Sequence, residues 1–108
     1  MPYIVVTSLF PFDKAPEVGE KYVEALKEYP LDENIGTSVV PAAVKLTHEG
    51  NKSIGITEVK EGKLEEAFTR MSRFVSVFRS IKGFRATIDV YYTVAEAMAN
   101  AGVNLPDK

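Results

Sequence analysis

At 108 residues, 45% hydrophobic and 26% charged, the chain is sized for one domain with one core and is too apolar for a disordered segment. A net charge of −2 opposes sequence-independent nucleic-acid binding, and the absence of cysteine removes disulfides, thiolate metal sites and cysteine nucleophiles. The start, Met1-Pro2-Tyr3-Ile4-Val5-Val6, has no basic leader, and no apolar run approaches the ~20 residues of a membrane span, so a soluble cytoplasmic protein is expected.

Residues 3–10 are β-branched and aromatic with apolar side chains on both alternating faces, the pattern of a central strand covered on both sides. Pro11 ends it. A helix should open at Asp13 or Ala15 with Pro16 in its first turn, carry Val18, Tyr22, Ala25, Leu26 and Tyr29 inward, and stop before Pro30. Glu17 and Lys21 are spaced to pair across one turn.

Residues 38–48 read as the second strand, with Val40, Ala42, Val44 and Leu46 on one face and Val39, Pro41, Ala43 and Lys45 on the other. Pro41 cannot donate to an inner ladder, so this strand belongs at an edge. Glu49-Gly50-Asn51 is a turn signal, and residues 53–59 return as the third strand.

Residues 63–81 carry the clearest signal. Leu64, Ala67, Phe68, Met71, Phe74, Val75, Phe78 and Ile81 recur at spacings of three and four, one continuous apolar stripe on a helix. Gly62 is the expected N-cap, Gly83 supplies a left-handed stop, and Glu66 is placed to pair with Arg70. Residues 85–93 then alternate strictly. Thr93-Val94-Ala95-Glu96 has capping-box spacing for a short terminal helix closed by Gly102, and residues 102–108 read as a loose tail.

The order is β-α-β-β-α-β plus a terminal helix. Right-handed crossovers give a ferredoxin-like α+β fold: both long helices on one face of a four-stranded antiparallel sheet of order 4-1-3-2. The first strand then falls at the centre and the Pro41 strand at an edge, so two separate signals agree. The helix side should take Ile4, Val6, Val40, Ala42, Val44, Ile54, Ile56, Ile88 and Val90. The uncovered side should show Tyr3, Val5, Thr7, Val39, Ala43, Lys45, Ser53, Gly55, Thr57, Thr87, Asp89 and Tyr91. That mixture is too apolar for a solvated face and too polar for a dry core, so it should meet a second copy of itself.

In order, length and alternation, residues 2–94 resemble the dimeric α+β-barrel superfamily of small proteins. That resemblance implies two sheets closed across a twofold axis, with small hydrophobic or aromatic molecules bound between the sheet faces or between sheet and helices. It implies a homodimer or higher homo-oligomer without a cofactor, while the net charge and the absence of a long apolar run lead to the expectation of no nucleic-acid and no membrane partner.

Asp89, mid-strand on the open face, reads either as a pocket carboxylate or as an interface partner for Lys45 or Arg85. Tyr3 and Tyr91 read as hydrogen-bonding pocket walls or as interface packing, and Thr57 as an ordinary strand residue unless a ligand adjoins it. Asp89, Tyr91, Tyr3, Thr57 and Lys45 are thus the candidate ligand contacts. His48, without a second His or Cys nearby, reads as a solvated turn residue and not a metal ligand. Nothing in the sequence fixes a reaction. The expectation is a homodimeric small-molecule-binding protein with room for a weak cofactor-independent activity, and the alternative is a structural module that only assembles oligomers.

Overall fold

A computed structural model of the chain describes residues 1–103. The strands are β1 (Tyr3–Phe10), β2 (Gly36–Thr47), β3 (Gly50–Val59) and β4 (Arg85–Tyr91), in an antiparallel sheet of order β2-β3-β1-β4. The helices are α1 (Ala15–Glu28), α2 (Leu64–Ser76) and α3 (Val94–Asn100). This is the expected ferredoxin-like topology, with β1 between β3 and β4 and the Pro41 strand at an edge.

Local chemistry sets the boundaries. Pro11 ends β1, and a 3-10 turn at Phe12–Lys14 feeds α1 with Pro16 in its first turn. Lys63, not Gly62, is the N-cap of α2; Gly62 precedes it with φ +78°. The α2 stripe continues past Ser76 as a 3-10 turn, Val77–Ser80, and ends before Gly83 at φ +85°. Two expected ion pairs take other partners. Lys21 meets Glu24 at 3.5 Å instead of Glu17, and Lys63 meets Glu66 at 3.9 Å. Arg70 donates to the Pro30 carbonyl, tying α2 to the end of α1.

The β2–β3 hairpin turns at His48-Glu49, one residue earlier than the 49–51 signal, because Thr47 pairs with Gly50. Thr47 Oγ1 accepts the Glu49 N–H at 3.1 Å and donates to the Gly50 carbonyl at 2.8 Å. Gly50, at φ +141°, lies so close under β1 that a Cβ there would sit 2.4 Å from the Phe10 carbonyl oxygen. β2 is irregular between Ser38 and Ala43, the stretch containing Pro41, where a missing N–H is tolerated at the sheet edge.

At the far end Thr93 and Glu96 form the expected capping box: Glu96 N–H to Thr93 Oγ1 at 3.1 Å, Thr93 N–H to Glu96 Oε1 at 2.8 Å. β4 therefore ends before Thr93. Gly102 and Val103 close α3, their N–H groups donating to Ala99 and Met98 at 3.0 and 2.7 Å. Of the segment 102–108 expected as a tail, residues 104–108 lie outside the described residues.

The face assignment of β3 departs from expectation. Val59 is fully buried in a cluster with Ile4, Ile35 and Ala67, which Val6, Leu64, Met71, Ile88 and Val90 border. Val59 thus faces the helices, and alternation puts Thr57, Gly55, Ser53 and Asn51 on the same side, opposite Ile4, Val6, Ser8 and Phe10. Ile54 and Ile56 face away, opposite Thr7 and Val5. The expected faces of Ile54, Ile56, Ser53, Gly55 and Thr57 are therefore reversed. The reason is that a strand apolar on one row and small on the other fits either way, and a one-residue shift exchanges the rows.

A second core cluster joins Ala25 of α1 to Phe78 and Ile81, with Val18, Tyr22, Phe74, Val77 and Phe84 against it. Phe78 stacks on Phe84 with ring centroids 5.0 Å apart, and Phe84 on Phe10 at 6.0 Å. Here α1 packs mainly on α2 and the 3-10 turn that follows it, not on the strands. Two cores result, and α1 bridges above the sheet.

Candidate functional site

Between sheet and helical layer lies a cavity of about 630 Å³, within the range of small-molecule sites. Its floor is Val6, Ser8 and Phe10 of β1 with Asn51, Ser53, Gly55 and Thr57 of β3. Val18, Tyr22 and Leu26 of α1 and Met71, Phe74 and Phe78 of the second helical segment form the roof, and Ser38, Val40 and Val44 of β2 the outer wall.

The space exists because of the row that β3 turns toward the helices. Asn51, Ser53, Gly55 and Thr57 are too small to reach α1, so the inward stripe of that helix meets a void instead of a sheet. Leu26 is accordingly 42% exposed despite lying on the inward stripe. Gly55 also has no side chain to block the irregular β2 backbone, whose Pro41 carbonyl oxygen would lie 3.2 Å from a Cβ there.

The lining is mostly apolar, with a small polar group set into its floor. Ser8, 5% exposed, is hydrogen-bonded through its hydroxyl to Ser53 across the β1–β3 ladder. Asn51, two residues along β3, is 7% exposed. Charge is confined to Asp32 and Arg70 at the C-terminal end of α1. Both are already engaged with backbone, Asp32 accepting the Asn34 N–H at 2.9 Å and Arg70 donating to Pro30.

Of the residues expected at a site, Thr57 lines this cavity and the other four do not. Tyr3 and Tyr91 are direct cross-strand partners on the open face, and Asp89, exposed, lies opposite Val5 one row away. Lys45, also exposed, lies opposite Lys52 at the other end of that face. The structure thus brings Tyr3, Tyr91 and Asp89 together, places Lys45 far along the strands and puts Thr57 on the opposite side. Ser8, Asn51 and Ser53 are the residues that sequence reasoning passed over. Their signal was present: a period-two row of small or polar side chains ending in the buried Val59.

The open face has an order of its own. One end carries Lys45, Lys52 and Arg85 in a row across Leu9. The other carries Glu58 beside Tyr3 and Asp89 beside Val5. Between them lies an apolar strip of Val5, Ile54 and Ile56. The face is therefore basic at one end, acidic at the other and apolar in the middle.

The only clearly displaced titration among the described residues is far from the cavity. The Thr93 backbone N–H, and after it the Met1 ammonium at 2.9 Å, holds the Glu96 carboxyl below the usual carboxylate range. No helix among the described residues is long and apolar enough to cross a membrane.

No protein-family model and no curated protein matches the chain. Among solved structures it is similar to a Thermotoga maritima protein provisionally assigned to thiamine biosynthesis or salvage, at 14% identity and a TM-score of 0.40, over 94% of this chain and 99% of that one. At that level the likeness carries no argument about function.

Proposed function

We propose that the chain is a single-domain, homodimeric small-molecule-binding protein of the dimeric α+β-barrel type that holds its ligand between sheet and helices. The cavity of about 630 Å³ carries this reading. An apolar chamber with a few convergent polar groups is what a small-molecule site requires, whereas a module that only assembles has no use for a hollow interior. The dimer follows from the open face. A twofold axis lying between two sheets and across their strands sets the Lys45, Lys52 and Arg85 end of one copy on the Glu58 and Asp89 end of the other. It also buries both apolar strips. Asp89, Tyr3, Tyr91 and Lys45 then serve the interface, and Thr57 the ligand.

Native mass spectrometry of the purified protein tests both parts. The expected spectrum shows a dimer carrying a small non-protein mass that organic denaturation releases. Gly19→Phe should abolish that mass while leaving the dimer, because nothing lies within 4 Å of an added Cβ at Gly19, which borders the cavity. A dimer with no extra mass in either protein would favour the purely structural module.

A further inference from the structure

The floor of the cavity specifies more than a hollow. Asn51 is 7% exposed and borders the cavity; its side-chain amide makes no hydrogen bond to another described residue, and its polar atoms are not sealed off from solvent. An amide that opens onto an apolar cavity takes its hydrogen bonds from water or from a ligand that replaces that water. Its neighbour two residues on, Ser53, is hydrogen-bonded to Ser8. Two hydroxyls own two protons, and their mutual bond uses one, so the pair retains one free donor as well as acceptor lone pairs. Asn51 adds an NH2 donor and a carbonyl acceptor. Donors and acceptors therefore stand together, about 7 Å apart along the strand, on an otherwise apolar floor.

No charged side chain shares that floor. Asp32 and Arg70 are the charged lining residues, and both are held at the end of α1 by backbone groups. A carboxylate placed against Asn51 would find a single amide donor and no counter-charge. An ammonium group would find one amide acceptor and no anion. Either ion would lose its hydration without replacement. The lining around these polar groups includes the rings of Phe10, Tyr22 and Phe74.

Resting on the binding function proposed above, we infer that this site selects an uncharged ligand with an aromatic-sized apolar body and one carboxamide- or lactam-like edge. Asn51 pairs with that edge in both directions, donating to its carbonyl and accepting from its N–H, as asparagine does with other donor–acceptor edges. The Ser8–Ser53 pair supplies the remaining donor.

Four probes of one shape test this: 2-naphthamide, methyl 2-naphthoate, 2-naphthoate and 2-naphthylmethylammonium, titrated into the intact protein by calorimetry. The amide should bind at least about tenfold more tightly than either ion. Asn51→Ala and Ser53→Ala should each weaken the amide by about tenfold, the scale of one lost hydrogen bond, and Asn51→Ala should weaken the ester, which keeps the carbonyl but lacks the N–H, by less than the amide. Circular dichroism confirms that each variant is folded, and Ser53→Ala, a loss of one oxygen, stands in if Asn51→Ala is not. An ion that binds as tightly as the amide overturns the inference, as does amide affinity unchanged in the folded variants; either leaves the cavity as a binding site. If none of the four binds, the inference falls together with the reading it rests on.

Discussion

Tyr3 and Tyr91 stand directly opposite one another across the β1–β4 ladder, on the side of the sheet that no helix covers. Glu58 flanks Tyr3 from β3, and the next row inward is Ile56, Val5 and Asp89. This row sits where an interface would bury its apolar centre, with Tyr91, 57% exposed, at the margin. Ile56→Lys should therefore raise the dimer dissociation constant by at least about a hundredfold, while Tyr91→Ala raises it less than tenfold. Sedimentation equilibrium reads both values, and unchanged circular dichroism shows that the protomer is intact.

The charged ends give a second, independent handle on the same surface. Lys52→Glu should weaken the dimer by about tenfold, and adding Asp89→Lys should restore most of the loss. The proposed dimer should also weaken as salt rises from 0.05 to about 0.5 M, since charged ends meeting at its rim would be screened. An equal loss in the single and double variants would show that the two ends do not meet.

Two glycines should respond in opposite directions. Gly50→Ala forces a Cβ to 2.4 Å from the Phe10 carbonyl oxygen at φ +141°, so the strands must part. A loss of at least about 3 kcal/mol is expected. Gly19→Ala meets nothing within 4 Å and lies inside α1, so it should stabilise by about 0.5–1 kcal/mol. Urea unfolding measures both.

Phenylalanines of the second helical segment should separate by what they touch. Phe78 is 5% exposed and stacked on Phe84, and Phe78→Ala should cost about 3–5 kcal/mol. Phe74 packs edge-on against Tyr22 but borders the cavity on its other side. Phe74→Ala should cost about half as much, because part of its surround is already empty. Phe74→Asp should still unfold the domain, since the charge would enter an apolar junction with no partner.

The α3 cap carries a pH dependence whose sign is fixed. The folded Glu96 carboxyl titrates below its ordinary range, first through the Thr93 backbone N–H and then through the Met1 ammonium. Its contribution is complete above the unfolded carboxylate pKa and is lost as pH falls through the lowered folded value. Amide exchange in α3 should therefore accelerate, relative to the sheet, only on the acid side of the ordinary carboxylate range. Glu96→Gln should remove that pH dependence. Thr93→Ala should loosen α3 by about 1 kcal/mol at every pH.

Features written in short stretches of sequence were legible. The apolar alternation of residues 3–10, Pro41 at an edge and the Thr93–Glu96 spacing each depend on neighbours a few residues away, and together they give the topology. The facing of β3 was not legible, because its two rows differ by a single register step. The choice is made by distant partners: Val59 packs against Ile35 and Ala67. The cavity was missed with it. A void is made of side chains that are too short, and Ser53, Gly55 and Thr57 looked like surface residues until Val59 fixed their side. Arg70 illustrates the same limit, since its carbonyl partner, Pro30, lies 40 residues away.

The central position of β1 also governs the order of events in folding. Its two ladders connect it to β3, some 45 residues on, and to β4, about 80 residues on. The β2–β3 hairpin closes over two residues and can form within about 1–10 µs, whereas β1 stays unpaired on both edges until distant chain has been brought back. A nascent or partly unfolded chain therefore exposes Tyr3–Phe10, a β-branched and aromatic strand without a proline, as its stickiest element. The strand that anchors the finished sheet is the one most in need of rapid closure while the sheet is being made.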